Sequence, residues 1–211
     1  MGLKRIFVFT GKKASGKTTA CNYIISALPE LVVHKMSFAL PLKKMCIDIL
    51  GLKPSQCFGT DSKKNTPTVW DWSDLVEPLR EKFGNQSGPV SARNILQIIG
   101  TDVFRQNFSD SVWVSAAVNM IRQSDADVIV FDDGRFPNEI DCVLLLADEN
   151  NKATIVRMLR EKGPLGDNHP SEKAMDKYPV NNYNYIIGPE VEGRKAVEAK
   201  VYDILICEGL V

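Results

Sequence analysis

The stretch FVFTGKKASGKTTACNYI, from Phe7 to Ile24, places a glycine-rich loop between an apolar run and a segment with helical spacing. Its central part, Gly11–Thr18, matches the pattern GxxxxGK[ST] at every fixed position. Glycines let such a loop turn its backbone N–H groups inward, where they and the N-terminus of the following helix can surround phosphate oxygens. The stretch therefore predicts a strand, a loop that binds a nucleoside triphosphate, and a helix.

The loop residues have separate expected tasks. The residues expected to surround the phosphates are Gly11, Ala14, Ser15, Gly16, Lys17, Thr18 and Thr19. The ammonium group of Lys17 has the reach to contact the β- and γ-phosphates, and the hydroxyl group of Thr18 is a suitable ligand for Mg²⁺. The sequence thus predicts a bound nucleotide together with Mg²⁺.

A pair of carboxylates follows a second apolar run. The run Val128–Phe131 is typical of a buried parallel strand, and Asp132 and Asp133 come directly after it. Because the carboxyl ends of parallel strands meet at the edge where the phosphate loop lies, one of these carboxylates is expected to support the metal ion. We assign this task to Asp133, with Asp132 as the open alternative.

The rest of the chain alternates between helical and strand patterns. Helices are predicted over residues 17–28, 42–50, 92–104, 112–121, 138–146 and 196–206, and strands over 6–9, 31–35, 128–131, 154–156 and 185–187. This alternation predicts an α/β sandwich of three layers, with a mostly parallel sheet of about five strands and helices on both faces. Residues 52–90 break the pattern and predict an irregular insertion within a single domain spanning residues 1–211.

Composition excludes several classes of protein. Lys+Arg and Asp+Glu are equal at 26 each, so a nucleic-acid polymer or an anionic membrane is not an expected partner. No apolar run is long enough to cross a bilayer, and no signal sequence is recognisable, so we expect a cytoplasmic protein. Two histidines and five scattered cysteines indicate neither a multi-histidine zinc site nor a disulfide framework.

A phosphate loop alone does not identify what receives the phosphate. A GTPase would carry the guanine-binding pattern NKxD, and the nearest string, Asn151–Thr154 (NKAT), lacks its carboxylate. Large ATPases need a longer chain. A kinase of a small molecule fits the length best, and it requires cations for two anionic substrates and a cover that excludes water.

Candidate groups for these tasks follow along the chain. Arg93, Gln97 and Thr101 are spaced at i, i+4 and i+8, which predicts one helix face that suits a phosphate and a base edge. Arg157 and Arg160 precede a stretch rich in glycine, proline and basic residues, so residues 157–176 are predicted to form a lid whose cations reach the triphosphate.

Six strings in order along the chain resemble the bacteriophage deoxynucleoside monophosphate kinase family. They are GKKASGKTT, SFALPLK, ARNILQIIGTDVFR, SVWV, DGRFPNE and HPSE. The resemblance implies a P-loop NTPase core with an acceptor-binding insertion and a lid, and transfer of phosphate from ATP to a deoxynucleoside monophosphate with Mg²⁺. It also implies small nucleotides as partners, a possible homodimer and, for a phage-encoded chain, the cytoplasm of the host.

The resemblance also implies roles for single residues. Lys13 and Lys17 match lysines that contact substrate phosphates, and Arg93 matches the arginine of the acceptor phosphate. The acceptor pocket and its surroundings are matched by Trp113, Asp133, Arg135 and Glu139, with Gln97 and Thr101 on the helix of Arg93. The string around His169, Ser171 and Glu172 has no role that we can assign.

Two other functions stay open at this stage. A kinase of another small phosphorylated acceptor, such as phosphomevalonate, would need the same loop and lid. A regulatory module that binds a nucleoside triphosphate without transferring phosphate would need the loop alone.

Overall fold

The computed structural model describes residues 4–160 and 173–211. The chain divides into two compact units, Met1–Phe38 with Ala116–Val211, and Ala39–Ser115. We call them the sheet unit and the inserted unit, and describe each by itself.

The elements are numbered along the chain. The strands are β1 (Lys4–Thr10), β2 (Val33–Met36), β3 (Pro67–Asp71), β4 (Pro89–Ser91), β5 (Val128–Gly134), β6 (Asn151–Met158) and β7 (Tyr185–Ile187). The α-helices are α1 (Lys17–Ala27), α2 (Leu40–Asp48), α3 (Pro54–Phe58), α4 (Asp61–Lys64), α5 (Glu77–Lys82), α6 (Ala92–Gln97), α7 (Val112–Gln123), α8 (Pro137–Leu145) and α9 (Arg194–Cys207). A π-helix, Ile98–Arg105, continues α6, and short 3-10 turns cover Trp72–Asp74 and Val180–Asn182.

The sheet unit contains a parallel sheet of five strands in the order β2-β5-β1-β6-β7. The first strand of the chain is therefore central, with β5 on one side and β6 on the other. Ligands of such sheets bind at the carboxyl ends of the strands, where the order of strands reverses. This topology confirms the predicted α/β fold and directs attention to the end of β1.

Alternation along β1 builds the two apolar layers of the sheet unit. Phe7 and Phe9 pack in one cluster with residues of α1 and α9, whereas Ile6 and Val8 pack in another cluster with residues of α7 and α8. Because successive side chains of a strand point to opposite faces, both faces of the sheet are covered by helices. The three predicted layers are present.

The pairing of β1 with β5 is irregular at its carboxyl end. Val8 lies opposite Phe131, but Thr10 lies opposite Gly134, so β5 has one more residue than β1 in this interval. Such a bulge re-aims side chains and is common beside functional sites. Here the additional residue falls at Asp132 and Asp133.

The inserted unit departs from the irregular segment predicted over residues 52–90. That segment contains α3, α4, α5 and an antiparallel pair of strands, β3 and β4. Leu52, Cys57 and Trp72 are buried in a core that also includes residues of α2 and α6. The sequence pattern missed these elements because short helices and a two-stranded ribbon contain too few turns or alternations to show a period.

Several other bounds differ from the predictions. The strand predicted over 154–156 is longer, and β6 includes Arg157 and Met158, so the lid predicted over 157–176 does not begin before residue 159. Residues 161–172 of that predicted lid lie outside the described residues. None of the described helices combines the length and the apolar character needed to cross a membrane.

Candidate functional site

The phosphate loop joins β1 to α1, as the sequence predicted. Lys17 is the first residue of α1, and its side chain folds back over the loop, where the ammonium group donates to the carbonyl oxygens of Gly11 and Lys12, both at 2.7 Å. The Oγ of Ser15 is a third acceptor at 3.3 Å. Lys17 is 6% exposed, so this buried charge is stabilised by oxygen atoms of the loop that a phosphate group would replace.

Two glycines are required by the shape of the loop. A Cβ atom at Gly11 would lie 2.4 Å from the carbonyl oxygen of Met158, at the end of β6. Gly16 adopts a φ of 95°, a left-handed conformation that disfavours other residues, directly before α1. The glycines of the pattern therefore allow a close approach to β6 and the turn into the helix.

The two carboxylates after the apolar run of β5 have different partners. Asp132 Oδ2 accepts a hydrogen bond from the hydroxyl group of Thr18 at 2.9 Å. The same oxygen forms an ion pair with Lys35 Nζ at 2.7 Å. Asp133 instead accepts from the hydroxyl group of Ser37 at 2.5 Å and from the backbone N–H of Phe38 at 3.0 Å. The carboxylate that accepts from the Thr18 hydroxyl, the group predicted to bind the metal, is thus Asp132, the alternative that the sequence left open beside Asp133.

The donor groups at this position suit Mg²⁺. Thr18 offers a hydroxyl oxygen and Asp132 a carboxylate at hydrogen-bond distance from it. Mg²⁺ prefers oxygen ligands, and protein sites commonly supply one or two of them while substrate phosphates and water supply the rest. The fit is therefore to a metal ion that arrives with a nucleotide.

The charges of the site also act on a thiol below it. Cys21, one turn after Lys17 on α1, is fully buried. Burial raises the pKa of the Cys21 thiol well above its ordinary value, and the neighbouring Asp132 carboxylate raises the pKa further. The thiol is therefore neutral and serves as a packing group, not as a nucleophile.

A small pocket lies at the carboxyl ends of the three central strands of the sheet. Its lining residues are Thr10, Gly11, Lys12, Gly134, Arg135, Arg157 and Met175. Three of these side chains are cationic, and none of the described residues that line the pocket carries a carboxylate, although that of Asp176 lies beside two of the cations. The pocket is therefore suited to an anion.

Arg157 is held in this pocket by the sheet, not by a lid. It lies on β6 opposite Thr10 of β1, and its guanidinium group donates to the Thr10 hydroxyl group at 3.4 Å. The guanidinium also lies 5.8 Å from the centre of the Tyr183 ring and 3.9 Å from an oxygen of Asp176. Asp176 in turn lies 3.4 Å from the Lys12 ammonium group, so one carboxylate bridges two cations of the pocket.

The turn that carries Arg135 is fixed by Glu139. One carboxylate oxygen of Glu139 accepts from the backbone N–H groups of Arg135 and Phe136, at 2.8 and 3.1 Å. Glu139 is 2% exposed and lies in the first turn of α8, where a negative charge is favourable. This geometry favours a role in orienting Arg135 over the direct substrate contact that the sequence predicted.

Arg160 contacts the phosphate loop. Its guanidinium group donates to the carbonyl oxygen of Ala14, the loop residue with a φ of 60°. Of the two cations assigned to the lid, Arg160 therefore lies beside the loop and Arg157 lies within the sheet. Lys13 also belongs to the loop, where its side chain is half-buried.

The remaining predicted residues lie in the inserted unit. The Arg93 guanidinium donates to the side chains of Asn65 and Asp61, each at 2.8 Å. Gln97 ends α6, and Thr101 lies in the π-helix, whose longer turn breaks the i, i+4 spacing on which the predicted common face depends. Trp113 is 7% exposed and its indole N–H donates to the carbonyl oxygen of Gly100 at 2.9 Å, which favours packing over stacking on a base.

Comparison with known proteins decides the family. The sequence profile of the deoxynucleotide monophosphate kinases matches residues 56–187, more than half of the chain. The chain belongs to the deoxynucleotide monophosphate kinase family. The profile match begins after the phosphate loop, so the loop geometry is an independent observation.

Two relatives of the family extend over most of the chain. A protein of Acanthamoeba polyphaga mimivirus, provisionally described as a deoxynucleotide monophosphate kinase, is 30% identical over 190 residues, which cover 82% of this chain and 86% of the relative. The deoxynucleoside-5'-monophosphate kinase of Escherichia phage T5 is 25% identical over 238 residues, which cover 92% of both chains. The family resemblance drawn from the six strings is confirmed.

Three residues of this family member were missed from the sequence. Lys12 was passed over within the loop pattern. Lys35 lies in β2, a short strand at the edge of the sheet, and Ser37 is the first residue after this strand. The available signal for Ser37 was the string SFALPLK, which begins with a polar residue directly after a strand of a parallel sheet. His169, Ser171 and Glu172 lie outside the described residues.

Proposed function

We propose that this chain transfers the γ-phosphoryl group of ATP to the 5′-phosphate of a deoxynucleoside monophosphate, giving ADP and the deoxynucleoside diphosphate. The observation that carries the proposal is the hydrogen bond to Asp132 from Thr18, which is next in the chain to Lys17 with its buried ammonium group. Membership of the deoxynucleotide monophosphate kinase family and the printed names of the two relatives support the choice of acceptor.

The phosphate loop binds the donor in this proposal. The backbone N–H groups from Gly11 to Thr19 and the N-terminus of α1 surround the β- and γ-phosphates. The Lys17 ammonium group exchanges its carbonyl contacts for phosphate oxygens and neutralises charge that develops on the transferred group. Arg160, beside Ala14, adds a second cation at the loop. Thr18 and Asp132 would hold Mg²⁺, and a bound ion would supply positive charge against the phosphates.

In this proposal the anion pocket receives the γ-phosphoryl group that is transferred to the acceptor phosphate. Lys12, Arg135 and Arg157 supply positive charge at the ends of three neighbouring strands. The acceptor phosphate is already ionised, so its oxygen needs no strong general base. The reaction therefore depends on alignment and charge neutralisation, for which cations fixed by a sheet are well suited.

Other residues bind the acceptor less directly. We keep Arg93 as the proposed contact to the acceptor phosphate from the inserted unit, with Lys13 as a further phosphate contact. Gln97 and Thr101 are half-buried, and this partial exposure is compatible with contacts to the nucleoside. Asp133 and Glu139 support the site by holding the β2 connection and the Arg135 turn, and Trp113 holds the π-helix of the inserted unit.

The test is an assay of ADP release with ATP and Mg²⁺ against the four common deoxynucleoside monophosphates, their ribose counterparts and phosphomevalonate. We expect turnover with one or more deoxynucleotides and none without an acceptor. Turnover with phosphomevalonate alone would replace the acceptor class. Binding of ATP without turnover on any acceptor would identify a regulatory module instead.

Two further predictions accompany the proposed acceptor. Free nucleotides are the partners expected for this site, so we predict that the protein acts in the cytoplasm, that of the host in the case of a phage protein. The family resemblance also predicts that a homodimer can form, and analytical ultracentrifugation at several protein concentrations would test this.

A further inference from the structure

Lys35 is bound to the carboxylate at the centre of the proposed metal site. Its ammonium group lies 2.7 Å from Asp132 Oδ2, the oxygen that also accepts from Thr18 at 2.9 Å. The side chain of Asp132 is 16% exposed and that of Lys35 is 32% exposed. At this degree of burial the pair is screened by water less than a surface ion pair is.

Lys35 is held in place by its strand pairing and by a side chain of α1. Lys35 lies on β2 opposite Val130 of β5, two residues before Asp132. Its ammonium group also donates to the side chain of Asn22 on α1 at 3.4 Å. Lys35 therefore connects β2, β5 and the helix that follows the phosphate loop.

The end of β2 gives each of the two carboxylates its own anchor. Lys35 contacts Asp132, whereas Ser37 and the backbone of Phe38 contact Asp133. Without these contacts, either of the two adjacent carboxylates could take the position beside Thr18. With these anchors, Asp132 is the carboxylate that accepts from Thr18.

We propose that Lys35 is a positioning residue for phosphoryl transfer: it fixes the Asp132 carboxylate against Thr18 and offsets part of its charge, which limits how tightly a divalent cation is held. The proposal rests on the function proposed above. It adds a residue of β2 to a site otherwise built from the phosphate loop and β5.

Removal of the charge has two effects of opposite sign. Without the Lys35 ammonium group, Asp132 attracts a divalent cation more strongly, because the positive charge that repels the cation at short distance has been removed. At the same time Asp132 and Thr18 lose their fixed arrangement, and small misplacements of reacting groups slow a transfer reaction strongly. Tighter metal binding combined with slower turnover is therefore the expected signature.

The experiment compares Lys35→Met, Lys35→Arg and the unchanged protein. Mn²⁺ is the spectroscopic probe, and its dissociation constant in the presence of saturating ADP is measured by electron paramagnetic resonance. For Lys35→Met we expect this constant to fall about fivefold and kcat to fall about tenfold. Lys35→Arg keeps the charge, so we expect its Mn²⁺ affinity to be within about twofold of the unchanged protein.

A matched control separates this effect from loss of a lysine in general. Lys200 on α9 pairs with Asp203 at 3.6 Å, with both side chains more than half exposed. Lys200→Met should change neither the Mn²⁺ affinity nor kcat. Thermal unfolding of every variant identifies those that fold.

Three results would overturn the proposal. One is Lys35→Met with the Mn²⁺ affinity and kcat of the unchanged protein. Another is weaker Mn²⁺ binding together with lower kcat, the result of a purely structural loss. A third is the same tightening of Mn²⁺ binding in Lys35→Arg as in Lys35→Met, because the arginine keeps the charge. The Mn²⁺ measurement needs no acceptor, so it stays informative even if the acceptor assay refutes the proposed function.

Discussion

Each end of the parallel sheet has a carboxylate that contacts a hydroxyl group and an ammonium group, but the two carboxylates differ in how exposed they are. At the carboxyl edge, Asp132 accepts from the hydroxyl group of Thr18 and the ammonium group of Lys35. At the amino edge, Glu208 accepts from the hydroxyl group of Tyr185 at 3.1 Å and lies 2.7 Å from the ammonium group of Lys152. We call these the carboxyl-edge and amino-edge clusters.

The two clusters differ in how many oxygens of the carboxylate are already in contact with other groups. Both oxygens of Glu208 are used, because Tyr185 donates to Oε1 whereas Lys152 and Arg5 contact Oε2, the latter at 3.3 Å. The Glu208 side chain is 4% exposed. Asp132 is more exposed, and within the described part of the chain both of its contacts fall on the same oxygen. A closed cluster stabilises the fold, whereas a cluster with an oxygen still accessible can bind a substrate or its metal ion. We therefore propose that similar groups serve stability at one edge and chemistry at the other.

The largest expected effect comes from the lysine beside the carboxyl-edge cluster. Lys17→Ala should lower kcat by about a thousandfold or more, because a buried cation that neutralises the transferred phosphoryl group is lost. Steady-state assays with the best acceptor would measure this change. Normal turnover by the folded variant would contradict the assignment of the loop as the catalytic donor site.

The next effect separates the two neighbouring carboxylates. Asp132→Asn should lower kcat about a hundredfold, because it removes the carboxylate that accepts from Thr18 in the proposed metal site. Asp133→Asn should instead lower the free energy of unfolding by about 1–3 kcal/mol, because the charge that accepts from Ser37 and Phe38 is lost. Urea unfolding and kinetics of both variants check this, and the reverse pattern would return the metal to Asp133.

Glu208→Gln should affect stability but not chemistry. The change leaves Arg5 and Lys152 without a countercharge, and we expect a loss of about 2 kcal/mol in the free energy of unfolding with unchanged kcat and KM. Glu198→Gln, which breaks an exposed pair with Arg194, is the control and should cost less than about 1 kcal/mol. A large fall in kcat for Glu208→Gln would remove the functional distinction between the edges.

The smallest effect is a pH dependence at the amino-edge cluster. Burial and then the hydrogen bond to Glu208 raise the pKa of Tyr185 from 10.0 to about 12. The folded state thus keeps the phenol proton that the unfolded chain loses, so this contribution is complete below pH 10.0 and is lost as the pH rises toward 12.

Tyr185→Phe tests this dependence directly. Urea unfolding at a series of alkaline pH values should show a shallower decline for the variant than for the unchanged protein. Tyr178, whose pKa burial also raises to about 12, continues to contribute in both proteins. Identical pH profiles would mean that Tyr185 does not contribute in this way.

The sequence predicted the parts of the site that are contiguous in the chain. The pattern from Gly11 to Thr18 requires one loop shape, and the run Val128–Phe131 is apolar enough to specify a buried strand. Together they located the phosphate loop and the pair of carboxylates at one edge. The five-stranded parallel sheet followed from the alternation of patterns.

The remaining features depend on contacts between distant segments. The choice between Asp132 and Asp133 depends on a bulge and on anchors from β2, neither of which has a local pattern. Arg157 was assigned to a lid because the apolar part of β6 is short, whereas pairing with β1 and β7 extends the strand. The core around Trp72 is built from elements too short to be recognised in sequence.

The central position of β1 has a consequence for synthesis of the protein. β1 is completed at Thr10, but its partner strands begin only at Val128 and Asn151. At a ribosomal rate of about 5–20 residues per second, β1 emerges several seconds before either neighbour exists. Phe7 and Phe9, fully buried at the end, stay exposed on the nascent chain for that time. The apolar segment that leads into the phosphate loop thus has neither of its neighbouring strands to pair with until more than half of the chain has been made.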